Sequence, residues 1–140
     1  MTALRFFLVL FLLNGYGCSV CFGQGANPLI VFYEPMADVK NPGNVTFDDT
    51  KPLLKIFDVS EKRLGRDNKG VLLRFTDRDT QTFAALTSKY SGKYLIVVAS
   101  DDVMEMLHIT APIDDGYLGF KGPEEEPMAA YLRSKLFPNQ

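Results

Sequence analysis

"GKYLIVVASDDVMEMLHI", residues 92–109, holds a complete hairpin in eighteen residues and fixes how the rest of the chain can be arranged. "YLIVVA" (Tyr94 to Ala99) is apolar at consecutive positions, so both of its faces are covered, as in a central strand. Ser100-Asp101-Asp102 supplies the turn, because short carboxylate side chains bond their own backbone there. "VMEMLHI" (Val103 to Ile109) then returns antiparallel. Side chains alternate across a strand, which puts Met104, Met106 and His108 on one face and Val103, Glu105, Leu107 and Ile109 on the other.

Upstream of this hairpin the pattern changes period. Phe83, Leu86 and Tyr90 recur at i, i+3 and i+7, one apolar face of a helix. Thr76 or Asp77 can cap its start, and Asp79 places negative charge at the positive end of the dipole. Ser91-Gly92 ends it, since glycine accepts the left-handed cap conformation. Before the helix, "LLKIFDV" (Leu53 to Val59) and "GVLLRFT" (Gly70 to Thr76) read as strands, and "SEKRLGRDNKG" between them reads as a polar connection. After the hairpin come "YLGF" (Tyr117 to Phe120) as a short strand and a second helix. Glu124 to Glu126 precede that helix, Arg133 and Lys135 close it, and Met128, Leu132 and Leu136 form its apolar stripe. Its start falls between Gly122 and Glu126, because Pro127 fits only in the first turn.

These elements predict an α+β domain over residues 53–138, with two helices packed on one face of a mostly antiparallel sheet in a ferredoxin-like sandwich. The strand, helix, strand order of 70–99 predicts a right-handed crossover joining two parallel strands. Residues 26–52 are rich in Pro, Gly and Asn, and "LIVFY" (Leu29 to Tyr33) inside them reads as a short edge strand.

The first 25 residues have a separate character. Arg5 precedes eight apolar residues, Phe6 to Leu13, and no further charge appears until Glu34. That is the form of a secretory signal peptide, too short for a membrane span of about 20 residues. Small residues permit cleavage after Gly17, which would leave Cys18 at the new N-terminus and open to lipidation, or after Gly25. The expected mature protein is periplasmic and carries no integral membrane segment. Cys18 and Cys21 make a C-x-x-C within the leader, and one histidine in the chain is too few for a zinc site built with them.

Composition narrows the function further. The 140 residues have 46% hydrophobic and 12% aromatic content, and 15 basic against 17 acidic residues spread along the chain. A nucleic-acid binder needs a concentrated basic footprint, so no nucleic-acid partner is expected. His108 stands without a nucleophile elbow of the G-x-S-x-G kind. Asp101-Asp102 and Asp114-Asp115 sit in turns, where Asp has a local reason to occur, and lack the alternating oxygen ligands of a calcium loop. No metal, no cofactor and no catalysis are expected. A methionine surface suits adaptable peptide binding, so Met104, Met106 and His108, with Tyr117 and Phe120 on the next strand, form the candidate partner-binding face. The same alternation also fits methionines lying beneath a helix.

The run from Phe83 to Pro138 resembles the head subdomain of the first periplasmic domain of SecD and SecDF, accessory subunits of the protein-export translocase. The shared features begin with an F-x-x-L-T helix end (Phe83, Leu86, Thr87) and a Gly-Lys step into an apolar strand (Gly92, Lys93, Leu95 to Val98). An acidic turn, an A-P-I segment (Ala111 to Ile113) and a short strand entered through Gly116 follow, then a helix with Ala129, Ala130 and Leu132. The hairpin sequence "DDVMEMLHI" departs from the family's usual version. The family's membrane helices, with the carboxylate and arginine that couple transport to protons, have no counterpart in this sequence. The resemblance therefore implies a fold and a compartment, and a protein or extended polypeptide as the partner. An exported inhibitor or immunity-type protein, and a small hydrolase, are the other readings left open.

Overall fold

The computed structural model describes residues 26–36, 45–66, 68–121 and 126–140. The leader with Cys18 and Cys21 lies outside these residues, as do Gly122, Glu124 and Glu125. Among the described residues, seven strands and two helices follow in the order β1 (Ile30–Tyr33), β2 (Leu54–Ile56), β3 (Val59–Leu64), β4 (Val71–Phe75), α1 (Asp77–Lys89), β5 (Tyr94–Ser100), β6 (Val103–His108), β7 (Tyr117–Phe120) and α2 (Pro127–Leu136). The domain is α+β. Its strands form two sheets, β2-β1-β5-β6 and β3-β4-β7, and every pairing of adjacent strands is antiparallel.

Four expectations are corrected by this division. Residues 53–59 do not make one strand: the chain leaves the first sheet after Ile56, and β3 starts the second sheet at Val59. The polar "SEKRL" is therefore strand, not connection, with Glu61 and Arg63 facing outward opposite Arg74 and Leu72. β1 is not an edge strand but lies between β2 and β5. Nor are β4 and β5 parallel neighbours, because α1 carries the chain from one sheet to the other. The crossover rule holds for two strands of the same sheet, and these belong to different ones.

Both sheets turn one face to a common core. Ile30, Phe32, Ile56, Leu95 and Val97 enter it from the first sheet, and Val71, Leu73, Phe75, Leu118 and Phe120 from the second. Helix α1 contributes Phe83 and Tyr90, and α2 contributes Met128, Ala129 and Leu132. Phe32, Phe75 and Phe83 join the sheets and α1 directly: ring centroids lie 6.3 Å apart for Phe32–Phe75, 5.1 Å for Phe32–Phe83 and 4.9 Å for Phe75–Phe83. Two of the three contacts are edge-on, the geometry the ring quadrupoles favour.

Helix α1 begins where its cap chemistry places it, with the Thr76 hydroxyl accepting from the Asp79 N–H at 3.3 Å. It ends at Lys89 with Tyr90 as its C-cap, and the chain then turns away through Gly92, whose φ of 79° suits a residue without Cβ. Gly116, at φ 73°, has a second constraint, since a Cβ there would collide with the Thr80 side chain. Helix α2 starts at Pro127 behind Glu126. Its last turn is held by Lys62, whose Nζ donates to the Leu136 carbonyl at 2.7 Å, placing a cation at the negative end of the dipole.

Thr87 is the one fully buried polar side chain among the described residues. Its hydroxyl donates to the Phe83 carbonyl at 2.9 Å and accepts from the Ile113 N–H at 2.9 Å. The F-x-x-L-T and A-P-I segments are thus bonded to each other across the fold. Replacing Thr87 by Val keeps the volume but leaves the Ile113 N–H without its acceptor, a loss of about 1–3 kcal/mol. Urea unfolding of Thr87→Val should show that loss; unchanged stability would mean the bond contributes nothing.

Candidate functional site

The hairpin of β5 and β6 sets the outer face of the first sheet. Its register pairs Tyr94 with His108, Ile96 with Met106, and Val98 with Met104, so these six side chains share the face opposite the one that enters the common core, although Ile96 is fully buried there. Met104 is 50% exposed, which overturns the alternative of a methionine under a helix. Met106 is half-buried and His108 exposed. The imidazole of His108 stacks on the exposed ring of Tyr94 at 4.6 Å. Across β5 the same face continues to β1, where Val31 stands opposite Val98 and Tyr33 opposite Ile96, and Phe47 packs on Tyr33 at 4.6 Å.

Tyr117 and Phe120 do not join this surface. Strand β7 pairs with β4 in the second sheet, so it does not neighbour β6. Phe120 is 2% exposed and part of the core. Its alternation partner Leu118 is buried as well, which is the pattern of one inward face. Tyr117 points outward, but into a polar cluster: its hydroxyl donates to Glu61 Oε2 at 3.0 Å and its ring lies under the Arg74 guanidinium at 5.7 Å. The Tyr117 hydrogen bond first, and Arg63 after it, hold the Glu61 carboxyl below the usual carboxylate range.

A cleft of ≈ 710 Å³ lies next to the methionine face. Val31, Tyr33, Phe57, Val98, Tyr131 and Leu136 supply its apolar lining, with Asp58, Asp101 and Lys135 among the polar groups. Val98 belongs to both features, since it lines the cleft and faces Met104 across the hairpin. Phe57 is 54% exposed at the corner between β2 and β3. Sequence reading missed Phe57 and Tyr131. An apolar residue followed by Asp58, where one sheet passes into the next, was the available signal.

Beneath the hairpin lies one electrostatic irregularity. Glu105 is on the inward face of β6, under α2, between Val103 and Leu107. Burial first, and then the charge of Glu126 at the start of α2, push its carboxyl above the ordinary range. None of the ion pairs found among the described residues involves it. Those residues also contain no cluster of three or more His, Cys, Asp or Glu side chains able to hold a metal.

This fold has counterparts among solved structures. A structure of SecDF, described as a membrane component that enhances protein export, superposes with a TM-score of 0.54 at 19% identity, covering 79% of this chain and 64% of that one. The domain is SecD-like in fold. A second SecDF structure, in its super-membrane-facing form, gives a TM-score of 0.48 at 25% identity over 67% of this chain and 13% of its own. No protein-family model and no curated protein matches the chain. The SecD-like domain thus spans less than two thirds of the first SecDF chain. Among its described residues no helix is long and apolar enough to cross a membrane.

The position of Glu105 makes a prediction about pH. A carboxyl whose pKa is raised by folding favours the folded state when protonated, and that contribution is lost as pH rises through the raised value. Glu105→Gln removes the penalty of the ionised form. The variant should unfold at higher temperature than the parent at pH 7, and the gap should close below pH 4. A gap that is constant with pH, or reversed at pH 7, would show that Glu105 is not the strained group.

Proposed function

We propose that this SecD-like domain is a noncatalytic, exported binding module for extended polypeptide, accessory to protein export, and that the outer face of the β5–β6 hairpin is its contact surface. The observation that carries the reading is the exposure of Met104 on a regular strand, with half-buried Met106 and exposed Tyr94 and His108 beside it, and a cleft of mixed lining that meets this face at Val98. A folded domain normally turns such side chains inward, and apolar surface gathered in one place marks an interaction site. Thioether side chains repack around dissimilar partners at little cost, which suits a surface that must accept many sequences. The fold shared with a membrane component that enhances protein export supports the same direction.

On this reading the domain acts by reversible binding. It lies outside the cytoplasm, as the Phe6 to Leu13 leader would require, and needs neither cofactor nor metal. Its cargo is unfolded chain, recognised by apolar side chains spaced as in a strand.

The test is binding of a fluorescently labelled, permanently unfolded secretory polypeptide. The double substitution Met104→Ser, Met106→Ser should weaken it about tenfold, which is about 1.4 kcal/mol. Met104→Ser alone, at the exposed position, should leave the melting transition within about 0.5 kcal/mol while still weakening binding, which separates the contact from any packing of the half-buried Met106. Equal affinity in the variant would move the contact off this face, and an absence of binding in the parent would remove the proposal.

A further inference from the structure

The contact can be specified beyond its location, resting on the polypeptide-binding reading just given. In an antiparallel pair, residues alternate between those that exchange backbone bonds with the neighbour and those that do not. Ile109 N–H donates to the Lys93 carbonyl at 2.9 Å. The alternation therefore bonds Leu107 to Leu95 and Glu105 to Val97 within the hairpin, following the register of β5 and β6. The N–H and C=O groups of Met104, Met106 and His108 point the other way. β6 is the last strand of its sheet, and among the described residues no backbone bond meets these groups from outside. The three residues with side chains on the methionine face are thus the same three whose backbone is open.

We propose that β6 accepts an extended polypeptide as an added antiparallel strand, and that the segment it prefers alternates apolar and basic residues. The residues that pair with Met104, Met106 and His108 would exchange backbone bonds with them and lay their own side chains on the outer face beside the methionines. The intervening residues would project to the inner face, where Glu105 and Glu126 lie close together and no ion pair among the described residues engages either one. A lysine or arginine opposite Glu105 meets that unbalanced negative charge. An unpaired strand edge is a template for such addition unless something guards it. Self-pairing gains nothing from this charge: a second copy paired antiparallel about Glu105 would set Glu105 against Glu105, a like-charge cross-strand pair, and one centred on Met106 would set Glu105 against Leu107, which leaves the charge unanswered. The favoured occupant is consequently a foreign, basic-apolar strand, which answers the Glu105 charge where another copy of this chain does not.

Short peptides of alternating isoleucine and lysine, titrated into the full chain and followed by fluorescence anisotropy, separate the parts of the proposal. N-methylation of the isoleucine amides blocks the strand bonds and should lower affinity at least about tenfold. N-methylation of the lysine amides, which face solvent, should leave affinity within about twofold. Replacing lysine by glutamate should abolish binding to the parent chain, and Glu105→Gln should narrow the difference between the two peptides. Equal loss, or equal tolerance, at both methylation positions would overturn strand addition even if unfolded polypeptide still binds through the methionine face. A lysine peptide that binds no better than the glutamate peptide would overturn the charge preference. A dimer of the chain alone in sedimentation, dispersed by the lysine peptide, would overturn the choice of a foreign occupant. Failure of every peptide while the unfolded secretory polypeptide binds normally would overturn the edge and spare the broader function.

Discussion

Three phenylalanine rings hold this domain together. Phe32 comes from the interior strand of one sheet, Phe75 from the interior strand of the other and Phe83 from the helix that connects them, and each ring touches both others. All three are fully buried. No strand is shared between the sheets, so their mutual placement depends on side-chain packing and on the links through residues 57–58, α1 and residues 109–116. Because the inner faces of both sheets converge on this cluster, the outer face of the first sheet is covered only in part: Val31 and Ile96 are buried there, while Met104, Tyr94 and His108 remain exposed. The candidate surface is a consequence of where the core had to be.

The elements around the opening hairpin were legible because their signals are local. The Thr76 cap, the apolar face of α1, Gly92 and the turn at Asp101-Asp102 each rest on chemistry within a few residues, and α1, β5 and β6 fall where those residues put them. The division into two sheets was not legible, because a strand's alternation says which residues share a face but not which sheet that face belongs to. "VSEKRL" hides as a strand since its exposed positions are charged and its inward ones few. The assignment of β1 as an edge failed for a more instructive reason. "LIVFY" is apolar on both faces, the same feature that marks "YLIVVA" as central, and the prolines flanking it are compatible with an interior strand of only four residues.

The candidate site divides along the same line. Met104, Met106 and His108 share a face by simple period 2, and the register confirms their company. Adding Tyr117 and Phe120 required knowing β6's neighbour, which is long-range information. Leu118 and Phe120, two residues apart and both large, already implied an inward pair. Glu105 was visible as the polar member of an otherwise apolar face, but its conflict with Glu126 exists only once α2 lies across β6.

Strand β6 carries both proposals: its inner face packs against the core, its outer face exposes Met104 and His108, and its edge is open. Passive capture of unfolded chain needs all three: rigidity from below, adaptable side chains beside the cargo, and backbone groups that do not read sequence. The most direct measurement is amide hydrogen exchange, resolved by residue, with and without saturating unfolded polypeptide. The amides of Met104, Met106 and His108 should exchange freely in the isolated domain and become protected together on binding, while Glu105 and Leu107, already bonded to β5, change little. Protection that arises elsewhere, or β6-edge amides that are slow before any polypeptide is added, would contradict the account.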